Sequence, residues 1–175
     1  MGDIATTEIL AFLRKLGERY TRPAAIYLLG GSALCFLGNP RRTADIDYFV
    51  ETTPDQTVEL QATIESLALE LTLELEVVAI GEFVPLPEGT RARRRLIGQF
   101  GNLTTYVYDP YTIAISKVAR GFETDLQDVL FMLRQKLIEF KQLEAYVNAA
   151  LPRAKDFDID PTEFQQHLEE IGRLV

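Results

Sequence analysis

Two aspartates spaced i, i+2 stand in Ala44-Asp45-Ile46-Asp47-Tyr48-Phe49-Val50, downstream of a Gly30-Gly31-Ser32 turn. A strand sends alternate side chains to one face, so Asp45 and Asp47 address one cation while Ile46 packs on the other side. Magnesium, or manganese in its place, takes such hard oxygen ligands and keeps positions open for water and substrate phosphates. A Gly-Gly-Ser turn that opens a helix aims backbone N–H groups and the positive end of the helix dipole at an anion. One element is then suited to phosphate and the other to metal, the layout of a metal-dependent phosphoryl-transfer site.

The elements that must position these groups follow from apolar spacing. Ala24 to Leu29 is a buried run leading into the turn, Ala33 to Leu37 has room for a short helix closed by Gly38-Asn39-Pro40, and the Asp-x-Asp opens the next strand. Before them, Ile9, Leu10, Phe12, Leu13 and Leu16 space the apolar face of a helix over about residues 3–19. After them, Thr53-Pro54-Asp55-Gln56 has a capping-box pattern and starts a helix to about Leu71, with Leu60, Ile64, Leu67 and Leu71 toward the core. Leu73 to Val78 alternates as a strand with one apolar and one acidic face.

Residues 81–100 are broken by Pro85, Pro87 and Gly89 and give no clear period. Leu103 to Tyr108 reads as a strand, and Asp109-Pro110 caps a helix that carries Lys117 and ends near Gly121. A further helix begins near Thr124, and the remainder is helical except around Pro152 to Asp160. Asp156, Asp158 and Asp160 also alternate, but a calcium loop needs glycine and glutamate where Pro161 and His167 stand. Asp160 is better read as the N-cap of a last helix, with Pro161 at its first position and Glu163 completing a capping box. Strands early and helices late predict an α+β domain: a mixed sheet with helices and a C-terminal helical layer.

A chain of 175 residues, 47% hydrophobic, is expected to form one domain over 1–175, with a core at about 24–135 and C-terminal helices at about 136–175. The longest apolar stretch, Ala24 to Gly38, is broken by small residues and falls short of the roughly 20 residues a membrane span needs. With Asp3 and Glu8 near the start and no basic-then-apolar leader, a cytoplasmic protein without membrane partners is expected. A single cysteine, Cys35, excludes an internal disulfide and reads as core filler, and with one histidine it cannot build a typical structural zinc site. The net charge of −8 argues against a nucleic-acid-coating protein. A local basic run exists at Arg91, Arg93, Arg94 and Arg95, open to two readings: a solvated face, or a contact to phosphate or RNA.

Taken together, Gly31, Ser32, Asp45 and Asp47 resemble the nucleotidyltransferase superfamily, the group with a DNA-polymerase-beta-like fold. Ser116-Lys117, followed by Asp125-Leu126-Gln127-Asp128, looks like the compact bacterial branch related to AbiEii-type and MenT-type toxins; Glu82 to Pro87 is similar to a subgroup of it. The likeness covers about residues 24–135. It implies a third carboxylate on a later strand, usually aspartate; Glu74 and Glu76 are the candidates here, and Glu76 is preferred because Val77-Val78 follows it. The family likeness also implies catalytic roles for Lys117 and Asp125, whose positions otherwise read as ordinary helix-end charges.

The reaction so implied is transfer of a nucleoside monophosphate from a nucleoside triphosphate to a hydroxyl acceptor. Asp45, Asp47 and Glu76 are the expected metal ligands; Gly30, Gly31, Ser32 and Lys117 are expected to hold the triphosphate. By resemblance to the toxin branch, an RNA or tRNA end is the first expected acceptor and a cognate antitoxin or toxin the expected partner. The alternative is a catalytically silent nucleotidyltransferase fold acting as a binding or regulatory partner, a reading that rests on the glutamate at the third position.

Overall fold

The computed structural model describes residues 4–175 and divides into two compact units. The first unit takes residues up to Val78 together with Arg95–Tyr108; the second takes Ala79–Arg94 and Asp109–Val175. The expected border near residue 136 therefore falls inside the second unit.

The first unit is built on a five-stranded mixed sheet in the order β3-β2-β1-β5-β4, formed by β1 (Ala24–Leu28), β2 (Ile46–Glu51), β3 (Leu75–Val77), β4 (Arg95–Phe100) and β5 (Leu103–Val107). β1 runs antiparallel to β2 and parallel to β5; β3 lies parallel to β2 and β4 antiparallel to β5. Helices α1 (Thr6–Arg19) and α3 (Pro54–Leu71) pack against one another, burying Ile9, Phe12, Leu13, Leu16, Leu60, Ile64 and Leu67 as their spacing predicts, whereas Leu10 and Leu71, expected on the same faces, are only half-buried. The sheet face carrying Ile26, Leu28, Ile46, Tyr48, Leu103 and Val107 is fully buried, and the Tyr48 hydroxyl donates to Gln61 of α3 at 3.0 Å. Any position of the expected first helix before Ile4 lies outside the described residues.

The opposite face holds Asp45, Asp47, Phe49 and Glu51, since these positions alternate with Ile46, Tyr48 and Val50. Phe49 stacks on Tyr27 at 4.6 Å between ring centroids, Tyr27 stacks on Tyr106 at 5.4 Å, and Tyr108 meets Tyr27 and Phe49 edge-on. These rings stiffen β1, β2 and β5 directly beside the two aspartates.

Two starts differ in detail from the sequence expectation. α3 begins at Pro54, but the Thr53 side chain makes no cap; Gln56 instead accepts hydrogen bonds from Thr52 and Tyr20, so the capping box is not formed. Strand β4 was hidden within residues 81–100. It is an edge strand with an exposed Leu96 and a register irregularity before Gly98, which removes the alternation that reveals a strand. Cys35, expected as core filler, is only half-buried.

The second unit gathers α4 (Ile80–Phe83), a 3-10 turn over Thr90–Arg93, α5 (Pro110–Arg120), α6 (Glu123–Arg134), α7 (Phe140–Ala150), a 3-10 segment over Leu151–Phe157, and α8 (Pro161–Leu174). α5 touches α6, α7 and α8, around a core of Ile113, Val118, Val129, Leu143, Val147, Phe164 and Ile171. Asp109 caps α5 as expected, accepting from the N–H groups of Tyr111 and Thr112. Asp160 caps α8 in the same way, through Thr162 and Glu163; those two hydrogen bonds hold its carboxyl below the usual range.

Asp109 is fully buried and receives Arg93 in a two-pronged pair, with Nε on Oδ1 at 2.7 Å and Nη2 on Oδ2 at 2.8 Å. Arg93 also donates to the Glu88 carbonyl and the Tyr146 hydroxyl, and its guanidinium lies over the rings of Tyr111 and Tyr146. Replacing Asp109 by alanine removes a helix cap and strips this arginine of its partner, so urea unfolding should show a loss of about 3 kcal/mol. Asp109→Asn keeps an oxygen for the cap and should lose distinctly less.

Candidate functional site

The site begins with strand register. β2 and β3 are parallel with Asp47 directly opposite Glu76, so both side chains leave the sheet on the same face; Asp45 joins them two residues earlier. One oxygen from each of Asp45, Asp47 and Glu76 lies within 4.8 Å of the others. The sheet therefore gathers the three residues that the sequence nominated as metal ligands, and Glu76 rather than Glu74 is the glutamate in this group. Asp45 and Asp47 are half-buried and Glu76 is exposed, so the cluster sits at the surface.

The segment before β2 is held from both sides. Thr43 exchanges two backbone hydrogen bonds with Ile4, at 2.6 and 3.0 Å, and is itself buried. The Leu29 N–H donates to the Asp47 carbonyl at 3.0 Å, tying the end of β1 to β2. α2 (Gly30–Phe36) starts immediately after Leu29. Ser32 is fully buried, and its hydroxyl is placed to donate to the carbonyls of Leu29, at 2.8 Å, or Asp47, at 3.2 Å. The side chain thus fastens the turn to the strand that carries Asp47, and what the turn has left for an anion is its N–H groups, which lack intrahelical partners at a helix start.

Gly30 has φ +51°, and a Cβ there would lie 1.7 Å from the Asp47 carboxylate oxygen. No side chain other than hydrogen leaves room for that carboxylate. Gly31 is similarly close to Thr43, where an added Cβ would meet Oγ1 at 2.4 Å. The two glycines of the motif thus act sterically: one makes space for a metal-ligand candidate and the other lets α2 pack on the segment leading to Asp45.

The donor set suits a hard divalent cation. All three ligands are carboxylates, with neither sulfur nor imidazole, as magnesium, manganese or calcium prefer. The 4.8 Å limit on their separations fits a shell of ligands about 2.1–2.5 Å from a shared centre, with slight closure for the smaller ions.

Lys117 and Asp125 come together as a separate group within the second unit. Lys117 is 2% exposed and donates to Asp125 at 3.0 Å and Asp128 at 2.8 Å; Arg120 reaches Asp125 with both Nε and Nη2. The lysine charge is therefore engaged inside the α5–α6 pair. The sequence motif set Lys117 before the acidic pair Asp125 and Asp128, but Arg120 was not anticipated as a partner. The spacing Lys117-x-x-Arg120 and Asp125-x-x-Asp128 was the available signal, because i, i+3 residues share a helix face. The arginine run is also divided: Arg93 is spent on Asp109, while Arg91, Arg94 and Arg95 are exposed.

Gly30→Ala should abolish divalent-cation binding, measured by calorimetry with manganese, while circular dichroism stays native. Gly38 has φ +91° with nothing within 4 Å of an added Cβ, so Gly38→Ala imposes comparable backbone strain and should leave manganese binding intact. Equal behaviour of the two variants would refute the steric role of Gly30.

A comparison with solved structures finds a nucleotidyltransferase-like antigenic protein from Paracoccidioides brasiliensis, 15% identical, with a TM-score of 0.52 over 94% of this chain and 95% of that one. This likeness supports the mixed-sheet fold. No curated protein matches. Residues 5–167 match a family described as a nucleotidyltransferase of unknown function, DUF6036; the narrower AbiEii and MenT likeness is not part of that match. The chain belongs to this nucleotidyltransferase family.

Proposed function

We propose that the protein is a metal-dependent nucleotidyltransferase that moves a nucleoside monophosphate from a nucleoside triphosphate to a hydroxyl acceptor. The observation that carries this reading is the convergence of Asp45, Asp47 and Glu76 within 4.8 Å beside a glycine turn with no room for a side chain. Asp45, Asp47 and Glu76 would hold the cation. When bound, it neutralises phosphate charge and polarises the oxygens at the reacting phosphorus.

The chain's own groups divide the remaining work. The N–H groups of Gly30, Gly31 and Ser32 face the phosphates in this reading, and the buried Ser32 hydroxyl keeps the turn registered on Asp47. An acceptor oxygen forms a bond to the α-phosphorus, the bond from that phosphorus to the bridging oxygen breaks, and pyrophosphate leaves with the electron pair. The acceptor proton passes to solvent beside the exposed Glu76. Lys117 would offset triphosphate charge only by giving up its contacts to Asp125 and Asp128.

The glutamate at the third position is what supported a catalytically silent scaffold. Its longer side chain does not keep its carboxylate out of the cluster, so the active reading is the stronger one.

Asp45→Asn and Asp47→Asn should each lower pyrophosphate release from nucleoside triphosphate by at least about 100-fold with the fold intact, the scale of losing one charge-stabilising group. In the wild type, triphosphate with magnesium at about 100 times its dissociation constant should stabilise the fold by about 2.7 kcal/mol, and either alone by much less. Full activity in both variants would refute the assignment.

A further inference from the structure

A groove of about 740 Å³ in the first unit is lined by Asp45 and Glu76 of the carboxylate cluster and by residues from the start of β2, from α3 and from the β3 segment. Neither the carboxylate cluster nor an edge strand alone says what occupies it; three independent features do.

The first is backbone. β3 is the outermost strand of the sheet. The Glu74 carbonyl accepts from Ile46, and the Val78 N–H donates to Tyr48, so alternate groups of this segment face β2. The N–H and C=O groups of Leu75 and Val77 face away from it, and among the described residues no strand pairs with them. An extended chain can add there, as peptides add to open sheet edges.

The second is apolar surface. Leu69 is 83% exposed and Val77 55% exposed, both in the groove wall with Leu73 and Leu75. Side chains of an added strand alternate onto such a wall every second residue.

The third is charge. With Asp45 and Glu76 given to the cation, Glu65 and Glu74 remain as the charges lining the groove, with no lysine or arginine among the described lining residues. Carboxylates repel an RNA backbone, which is bound through lysine and arginine. They also keep two copies of this edge apart, and they attract a basic chain.

Sheet order then divides donor from acceptor. β2 lies between β1, whose end leads into the Gly30 turn, and β3, which carries Glu76. With the triphosphate placed on the turn at the β1 side of Asp47, the β3 side, where Asp45 and Glu76 open into the groove, is left for the acceptor. Building on the nucleotidyltransferase reading, we infer that the acceptor is a basic polypeptide segment, laid as a strand along β3, whose serine, threonine or tyrosine hydroxyl receives the nucleoside monophosphate. That hydroxyl oxygen forms the new ester bond to the α-phosphorus, its proton goes to solvent, and pyrophosphate departs.

The test uses the full chain and a fluorescent ten-residue peptide of alternating lysine and threonine. Its binding is followed by anisotropy at low salt, and label transfer from α-labelled triphosphate with magnesium is followed separately. The lysine peptide should bind and accept label. Its glutamate counterpart and a ten-nucleotide oligouridylate should do neither, and N-methylation of alternate peptide amides should abolish binding by removing the strand hydrogen bonds. Glu65→Lys with Glu74→Lys should weaken peptide binding at least about tenfold while triphosphate binding stays unchanged; the milder Glu65→Gln with Glu74→Gln should fall between. Oligouridylate binding more tightly than the peptide, equal binding of the N-methylated peptide, or spermine competing as strongly per charge would overturn the inference. So would a peptide that binds beside magnesium and triphosphate yet accepts no label. Absence of triphosphate binding in the wild type, with peptide binding intact, would instead overturn the nucleotidyltransferase reading.

Discussion

Three carboxylates gathered within 4.8 Å impose the constraint around which the first unit is organised. A pair of full negative charges at that separation costs about 3–4 kcal/mol at an effective dielectric of about 20. Nothing in β-sheet geometry requires this: one residue of register slip between β2 and β3 would turn Glu76 to the opposite face and relieve it. The sheet holds the register through the Ile46–Glu74 and Tyr48–Val78 hydrogen bonds. The proposed cation would reverse the repulsion that this arrangement concentrates at the surface of the folded chain.

The surrounding architecture reads as support for that cluster. The ring stack of Tyr27, Phe49, Tyr106 and Tyr108 braces the strands on the face that carries the aspartates. Ser32 and Leu29 tie the glycine turn to the backbone of Asp47, and Thr43 is clasped by Ile4 just ahead of Asp45. Gly30 leaves the volume that the Asp47 carboxylate fills. The motif therefore works as a unit: its glycines and serine shape the space in which its aspartates meet.

Much of this was legible in the sequence where local rules decide. Asp109-Pro110 and Asp160-Pro161 mark helix starts that form as expected, because capping involves residues two or three positions apart. Asp45 and Asp47 share a face because strand alternation is local. The choice of Glu76 over Glu74 needed the β2–β3 register, a long-range property for which the sequence offered only the following Val77-Val78. Strand β4 was missed because an exposed edge with an irregularity near Gly98 keeps little alternation. Thr53 was expected to cap α3, but Gln56 found Thr52 and Tyr20 instead, a tertiary choice over a local one. The ionic group of Lys117, Arg120, Asp125 and Asp128 depends on two helices packing; the i, i+3 spacings mark each helix's charged face, but the pairing of the two faces is a tertiary property.

The measurement that tests the account most directly is a crystal structure of the protein with manganese and a non-hydrolysable nucleoside triphosphate, with anomalous data collected at the manganese edge. The account predicts an anomalous peak in coordination distance of Asp45, Asp47 and Glu76, with the phosphates running toward Gly30 and Gly31. Manganese bound elsewhere, or a cluster left empty at saturating metal and nucleotide, would contradict it.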